Sequence, residues 1–547
     1  MKRLLFTIFV LLSTISALPA SAAASEPNEP VLARGAALHG ANGVMFDRHD
    51  RLHIASVAGR EIVVMDPQTG AILDRLGPAQ GVEGPDDLTF GPDGALYWTS
   101  FFTGVVGRRA PDGTVGTVAQ LPPGVGAITF SDDGRLFVAV SFPDAADALY
   151  EVDPNGANPP RLVAEQLGGL NAMDWGSDGF LYGPLNFRGQ VVRINVDTGA
   201  VAPVADGFGL PTAAKFDSRG RLHVVDQLSG KVVRVNVATG RKAVVARLTP
   251  GLDSLAFDSR DRLFVSSFQD GFIAEVTADG EVRMVSGGGM ILPGGVAALP
   301  RGRDGESVFV ADLFSLREFD ARTGRQRRVE RGFTGYSQLI SPVFTVAPDG
   351  DRLLLSSSFA NAVQLWDPAT HAAVATYTGF AVPLNAIRFQ GDLVVAELGS
   401  GSVVRARGAN PTERATLATG LGVPAGLAAT DDDLWVGDWA TGSVLQLVAD
   451  GRPLAPPRVV AEHLAAPEGL AVAPDRRSLL VVESGAGRLV RIDLATGRVS
   501  TVADGLALGA QGIPGLPPTW SFNGVAVGHS GAVYVSGDKA NVLYSLD

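Results

Sequence analysis

The chain has 547 residues, no cysteine, 46% hydrophobic and 19% charged residues, and a formal net charge of −12. It is too long for one ordinary core, since single cores stop growing near about 250–300 residues. The missing cysteine excludes disulfides, thiolate metal sites, iron–sulfur clusters and cysteine nucleophiles, and the acidic balance argues against nucleic acid and anionic membrane surfaces as partners.

The chain opens with Lys2 and Arg3, then a largely apolar stretch over residues 4–18, then Pro19-Ala20-Ser21-Ala22. A positive start, an apolar core and small residues at the cut describe an export signal over residues 1–22. No later run is long enough to span a bilayer. The expected mature protein is exported, periplasmic or extracellular, free of the membrane and monomeric.

After the signal one unit recurs. A short apolar strand leads to an Asp/Gly turn and an alternating second strand. A Gly-bearing loop leads to a third strand such as Lys231–Val235, and a Thr-Gly turn at Thr239-Gly240 leads to a fourth beginning at Lys242. Period-two alternation between turn clusters reads as four antiparallel strands. One core position in the first strand marks every repeat: Phe46, Phe90, Phe130, Trp175, Phe216, Phe257, Ala298, Val346, Phe389, Ala429, Val472 and Val527. Successive marks lie 40–55 residues apart, the spacing of propeller blades. Twelve blades exceed one propeller, so the expected fold is all-β: two consecutive six-bladed β-propellers, over residues 23–280 and 281–547. The Gly-rich segment from Ser286 to Gly295 supplies the boundary; a five-plus-seven split has no comparable linker.

The twelfth repeat stops after its third strand, and residues 30–35 read as an orphan fourth strand. An open blade edge invites unwanted pairing. Each ring could borrow a preceding fourth strand, ring one from residues 30–35 and ring two from Glu281–Ser286. Alternatively the N-terminal strand closes the twelfth blade and stitches both rings together.

Phrases such as Pro467-Glu-Gly-Leu-Ala-Val, Leu434-Trp-Val-Gly-Asp and Gly487-Arg-Leu-Val-Arg-Ile-Asp-Leu-Ala-Thr-Gly run through nearly all the mature chain. They resemble the six-bladed superfamily that holds NHL-repeat proteins, strictosidine-synthase-like proteins and the gluconolactonase, senescence-marker and luciferin-regenerating family. Streptogramin (virginiamycin B) lyases carry similar repeats on seven blades.

Four residues before each mark, the first strand opens at the mouth of the central channel. In ring two, Asn385, Glu468 and Asn523 stand there; in ring one, Asn42, Asp86, Asn171 and Asp253. Carboxylate and amide oxygens suit hard cations such as Ca²⁺ or Mg²⁺. The resemblance to gluconolactonase-like enzymes implies one Glu, two Asn and one Asp around a divalent metal. Ring two matches three of those types and lacks the Asp, and its order around the ring departs from the family's. Ring one lacks the Glu. The same asparagines and aspartates also suit plain loop hydrogen bonding. His463 precedes Glu468 by five residues and could pair with it as general base and orienter, in loose likeness to the streptogramin lyases. A series of acids ends the second strands of ring two: Asp312, Glu397, Asp438, Glu483 and Asp538. Backbone N–H groups of the following loops explain it, and an acidic funnel is the functional alternative.

Two long loops of ring two bring Phe333, Tyr336 and Trp520 as substrate-covering aromatics. No phosphate loop, dinucleotide fingerprint, Gly-x-Ser-x-Gly elbow or His-Glu-x-x-His occurs, so no nucleotide, nicotinamide, haem or iron–sulfur cofactor is expected. The leading expectation is a metal-assisted hydrolase or lyase of lactonase-like type acting on a small molecule. The alternative is a non-catalytic scaffold for a protein or glycan ligand.

Overall fold

The computed structural model describes residues 30–141, 146–302, 305–333, 337–407, 413–512 and 522–546. The chain forms twelve antiparallel four-stranded sheets arranged as two six-bladed propellers. Blade one shows the plan: Val44–Phe46 innermost, then Leu52–Ser56, Glu61–Met65 and Ile72–Leu76. Its second strand is buried throughout, while the fourth is mostly exposed. The alternating sequence explains this, because the second strand is sandwiched between neighbouring blades and both of its faces meet other sheets. The Asp turn between the first two strands is fixed by its own side chain. Asp47 accepts the backbone N–H of His49 (2.9 Å) and Arg51 (3.0 Å), and Arg51 Nε returns to its carboxylate at 2.7 Å. Asp217 and Asp258 repeat this turn.

Second-strand hydroxyls stitch adjacent blades. Ser266 Oγ donates to Asn42 O (2.7 Å), and with Ala41 N–H to Ser267 O (3.1 Å) it closes ring one between blades six and one. Ring two closes between blades twelve and seven through Gly524 N–H to Gly294 O (3.3 Å) and Ser536 Oγ to the same carbonyl.

The borrowed-strand arrangement does not occur. Val31–Arg34 pairs with Val542–Leu546 and completes the twelfth blade, with Ala33 opposite Leu543 and Arg34 opposite Val542. Val282–Ser286 pairs with Ile273–Val276 and completes the sixth blade, so these residues lie in ring one and not, as the sequence suggested, in ring two. Each of the first eleven blades already holds four strands of its own, and the free edge lies on the last. The described part of the chain therefore begins in ring two, crosses to ring one, and crosses back through residues 287–292. The two crossings run side by side, with Ala36 N–H donating to Met290 O at 2.8 Å. Gly35 is required there, since a Cβ would lie 2.4 Å from that carbonyl.

Loops of blades one and six meet loops of blades seven and eight in an apolar cluster containing Ala58, Phe268, Leu313, Phe314, Phe333 and Phe344. The Phe268 and Phe314 rings lie 4.5 Å apart. No helix among the described residues is long and apolar enough to cross a membrane.

Candidate functional site: the channel mouths

In ring one the first strands bring Asn42, Asp86, Asn171, Thr212 and Asp253 to one end of the channel. Asn42 is buried and orients its neighbour: its Oδ1 accepts Val57 N–H (3.2 Å), and its Nδ2 donates to Asp86 Oδ1 (3.3 Å). The other oxygen of Asp86 faces Gly126, where a Cβ would stand 2.8 Å away. Glycine at that strand start leaves the oxygen clear. Asp253 has no hydrogen bond or ion pair among the described residues, and Thr212 Oγ1 is buried without a partner. Asn171 Oδ1 turns to the next backbone N–H, Ala172, at 2.8 Å. Burial, with Asp87 beside it, pushes the Asp86 carboxyl up to about 7. Burial, with Asp86 and Asp87 near, holds Asp253 well above the ordinary carboxylate range.

Three charged residues that sequence reasoning passed over belong to the same channel. Asp87 accepts Leu88 N–H (2.9 Å) and Ile128 N–H (3.2 Å). Asp174 accepts Trp175 N–H (3.0 Å) and Phe216 N–H (2.8 Å). Lys215 donates to Met173 O at 2.8 Å, and its charge draws down the carboxyls of Asp87 and Asp174 against the effect of their burial. The available signal was charge at first-strand positions that other repeats give to small or apolar residues. The channel thus carries four carboxylates against one ammonium, and Asp86 and Asp253 are the two that have no cationic partner.

Ring two differs. Glu468 is 3% exposed and its Oε2 accepts Asn523 N–H at 2.6 Å. Asn523 Oδ1 accepts Gly509 N–H (2.8 Å) and its Nδ2 donates to Ser536 O (3.1 Å). These residues anchor the loop that enters blade twelve. Burial and the nearby Asp538 carboxylate push Glu468 up to about 8. His463 is exposed in its loop and no hydrogen bond joins it to Glu468. Asn385 stands apart from both, lining the channel of ring two, and its amide has no hydrogen bond among the described residues. Phe333 packs in the inter-ring cluster, 5.2 Å from Phe268 and 4.9 Å from Phe314. Tyr336 and Trp520 lie outside the described residues.

The acids that end the second strands of ring two bind backbone N–H groups chiefly in the loop entering their own blade; Asp438 also accepts Ala440 N–H (3.2 Å) and Thr441 N–H (3.4 Å) of the loop that follows, as the sequence suggested. Ile291 and Leu292 donate to Asp312 (2.9 and 2.8 Å), Ala381 to Glu397 (3.1 Å), Gly422 and Val423 to Asp438 (both 2.8 Å), Ala465 to Glu483 (2.7 Å) and Ala510 to Asp538 (3.0 Å). An acid at that position pins a loop whose N–H groups would otherwise be buried unpaired.

Among the described residues no three His, Cys, Asp or Glu side chains are grouped to hold a metal ion. The ring-one mouth offers a different donor set: two carboxylates without a cation, a hydroxyl without a partner, and the space that Gly126 leaves beside Asp86. Oxygen donors of this kind fit a hard divalent cation.

A repeat family described as a repeat of unknown function (DUF6923) matches residues 103–258. None of the curated proteins matches the chain. Among solved structures, a streptogramin B lyase is 17% identical, with 52% of this chain and 93% of that one covered and a TM-score of 0.38. A gluconolactonase from Xanthomonas campestris is 16% identical, with 44% and 86% covered and a TM-score of 0.36. The extracellular domain of a two-component system protein from B. thetaiotaomicron is 11% identical, with 94% and 81% covered and a TM-score of 0.33.

Proposed function

We propose that the mouth of the first propeller is the functional site of an exported protein. It binds a divalent cation, Ca²⁺ or Mg²⁺, together with a small carbonyl substrate of lactone or ester type. One observation carries this reading: Asp86 and Asp253 face one channel mouth, half-buried, with no cation to balance them. Buried carboxylates so placed either take up protons or take up a cation. Asp86 and Asp253 would hold the ion, Asn42 would fix the orientation of Asp86, and Thr212 Oγ1 would complete the oxygen set. A cation bound there would polarise a carbonyl and acidify a water.

A second reading, a binding scaffold without turnover, is favoured by the absence, among the described residues, of any general acid or base hydrogen-bonded to Asp86 or Asp253. Calorimetric titration of chelator-treated protein with Ca²⁺ and Mg²⁺, followed by a lactone and ester panel with and without chelator, separates the two. Asp86→Asn and Asp253→Asn are each expected to weaken cation binding by about tenfold or more, and Glu468→Gln to leave it unchanged. Loss of binding in Glu468→Gln with retention in Asp253→Asn would move the site to ring two. Cation binding without turnover of any substrate would favour the scaffold.

A further inference from the structure

The two rings share a plan but differ at the repeated core position of the first strand. In ring one that position holds five phenylalanines and one tryptophan. Each packs on an aromatic or imidazole ring from the second strand of the preceding blade. The six pairs run unbroken around the ring: Phe46 with Phe264, Phe90 with His53, Phe130 with Tyr97, Trp175 with Phe137, Phe216 with Tyr182 and Phe257 with His223, their centroids 5.0–5.8 Å apart. In ring two the position holds Ala298, Val346, Phe389, Ala429, Val472 and Val527. All of these except Phe389 line a cavity of about 280 Å³ on the axis of the ring.

The polarity of the cavity is set by the strands. Its inner end is lined by buried Phe522 and by the glycine backbones of Gly295, Gly469 and Gly524. Its outer end lies at exposed Pro348 and half-buried Arg388, where the first strands finish. It therefore opens on the face opposite the mouths described above. The space is large enough for a small molecule to enter from that face. Of the three polar side chains that line it, two are engaged. Thr345 Oγ1 donates to Leu384 O at 2.8 Å, and Arg388 Nη2 holds Asp349 at 2.7 Å. Asn385, 8% exposed, is the third, and its amide has no hydrogen bond among the described residues.

We infer that the second propeller carries a ligand site on this axis, separate from the mouth of the first, for a small neutral molecule that is apolar along its body and has one carbonyl or hydroxyl at its tip. Aliphatic side chains around one unpaired amide select such ligands, and the strand-edge backbone that also faces the channel adds uncharged polar contacts. The Arg388–Asp349 pair at the rim is internally neutralised, so it does not select a charged one.

The test uses the full chain and two probes, acetophenone and the carbonyl-free propylbenzene, by calorimetry and thermal shift. The wild type is expected to bind both saturably, with acetophenone the tighter. Asn385→Leu should weaken acetophenone about tenfold, the loss of one neutral hydrogen bond, and leave propylbenzene unchanged. Ala429→Phe restores the ring-one residue type inside the cavity and should abolish both. Val472→Phe serves the same purpose if the first filling variant fails to fold. The inference is overturned if the wild type binds neither probe, or if a folded filling variant binds as tightly as the wild type. It is also overturned if Asn385→Leu weakens both probes equally.

Discussion

Asp86 and Asp253 differ from the other mouth-facing acids in what they lack. Glu468 has a backbone N–H on one oxygen and Asp538 accepts Ala510 N–H, whereas Asp253 accepts nothing among the described residues. Counting back from the core position was enough to place all of these at strand starts or ends, because strand period fixes position. It could not separate a free carboxylate from one already committed to a loop, since that depends on where a distant backbone N–H arrives. Lys215 escaped notice for a related reason: its neighbours in space, Asp87 and Asp174, lie in other repeats. The pH consequence has a definite sign. Asp86 titrates at about 7 in the fold against 3.8 in the open chain. Between these values the folded state holds the extra proton, so this group's contribution is full below the lower value and is lost as pH rises through the upper one. In the metal-free protein this contribution should therefore fall from about pH 4 to pH 7, with Glu468, pushed up to about 8, acting in the same direction and His39, His53 and His223, held below the ordinary imidazole range by burial, acting against it. Calcium should raise the melting temperature at pH 8 and have little effect at pH 5, because protons then occupy the ligands. Differential scanning calorimetry across this range checks both, and Asp86→Asn should flatten the slope and remove the calcium effect. A wild type whose melting temperature changes with pH no differently from that of Asp86→Asn would contradict the assignment.

Strands were the most legible elements. Four-strand repeats, their Asp turns and the number of blades follow from alternation and turn chemistry, because those signals are local. Ring closure was only half legible. A strand reading Val-Leu-Ala-Arg fits the outer edge of any blade, so its sequence does not say which edge it joins. The missing fourth strand after Leu546 pointed to blade twelve, while proximity in the chain pointed to blade one. The open edge decided the outcome, since every other sheet was already complete. Val31–Arg34 contributes more than ladder bonds. Ala33 lies in the apolar cluster between blades twelve and seven, with Leu32 packed against it, and Val31 packs on the core shared by blades eleven and twelve. Deleting residues 31–34 should cost about 3–5 kcal/mol from the burial of these side chains and lower the melting temperature by roughly 5 °C or more. It should also expose Val542–Leu546 as a pairing edge and promote association. Calorimetry and light scattering measure the two effects, with removal of residues 23–29 alone as control. An unchanged melting temperature and scattering after deletion would show that the N-terminal strand does not hold the last blade.

At the scale of the molecule, the rings are joined by charge as well as by the two crossings and the phenylalanine cluster. Arg317 is 1% exposed on ring two. It holds Asp312 of its own blade (Nε–Oδ2 2.5 Å) and reaches across to Asp270 of ring one (Nη2–Oδ1 2.9 Å), where Arg331 takes the second oxygen at 2.5 Å. Gln269 O accepts from Arg317 as well, at 3.3 Å. None of this could be read from the sequence, because nothing in the repeat pattern says which faces of two rings will meet. Breaking a buried pair from one side leaves its partners charged and unsolvated, at a cost of about 3–5 kcal/mol. In Arg317→Met that cost falls on Asp312, whose cation is gone, while Asp270 keeps Arg331; the contact between rings loses one of its two ion pairs, so the change should act on their coupling as well as on blade seven. The wild type is expected to unfold in one cooperative transition, and Arg317→Met in two, the rings melting separately. Adding Asp312→Asn removes the stranded charge and should recover part of the loss. Calorimetry of the three proteins decides the matter: a wild type that already melts in two steps, or a variant that still melts in one, would show that the crossings and the apolar cluster couple the rings without this arginine.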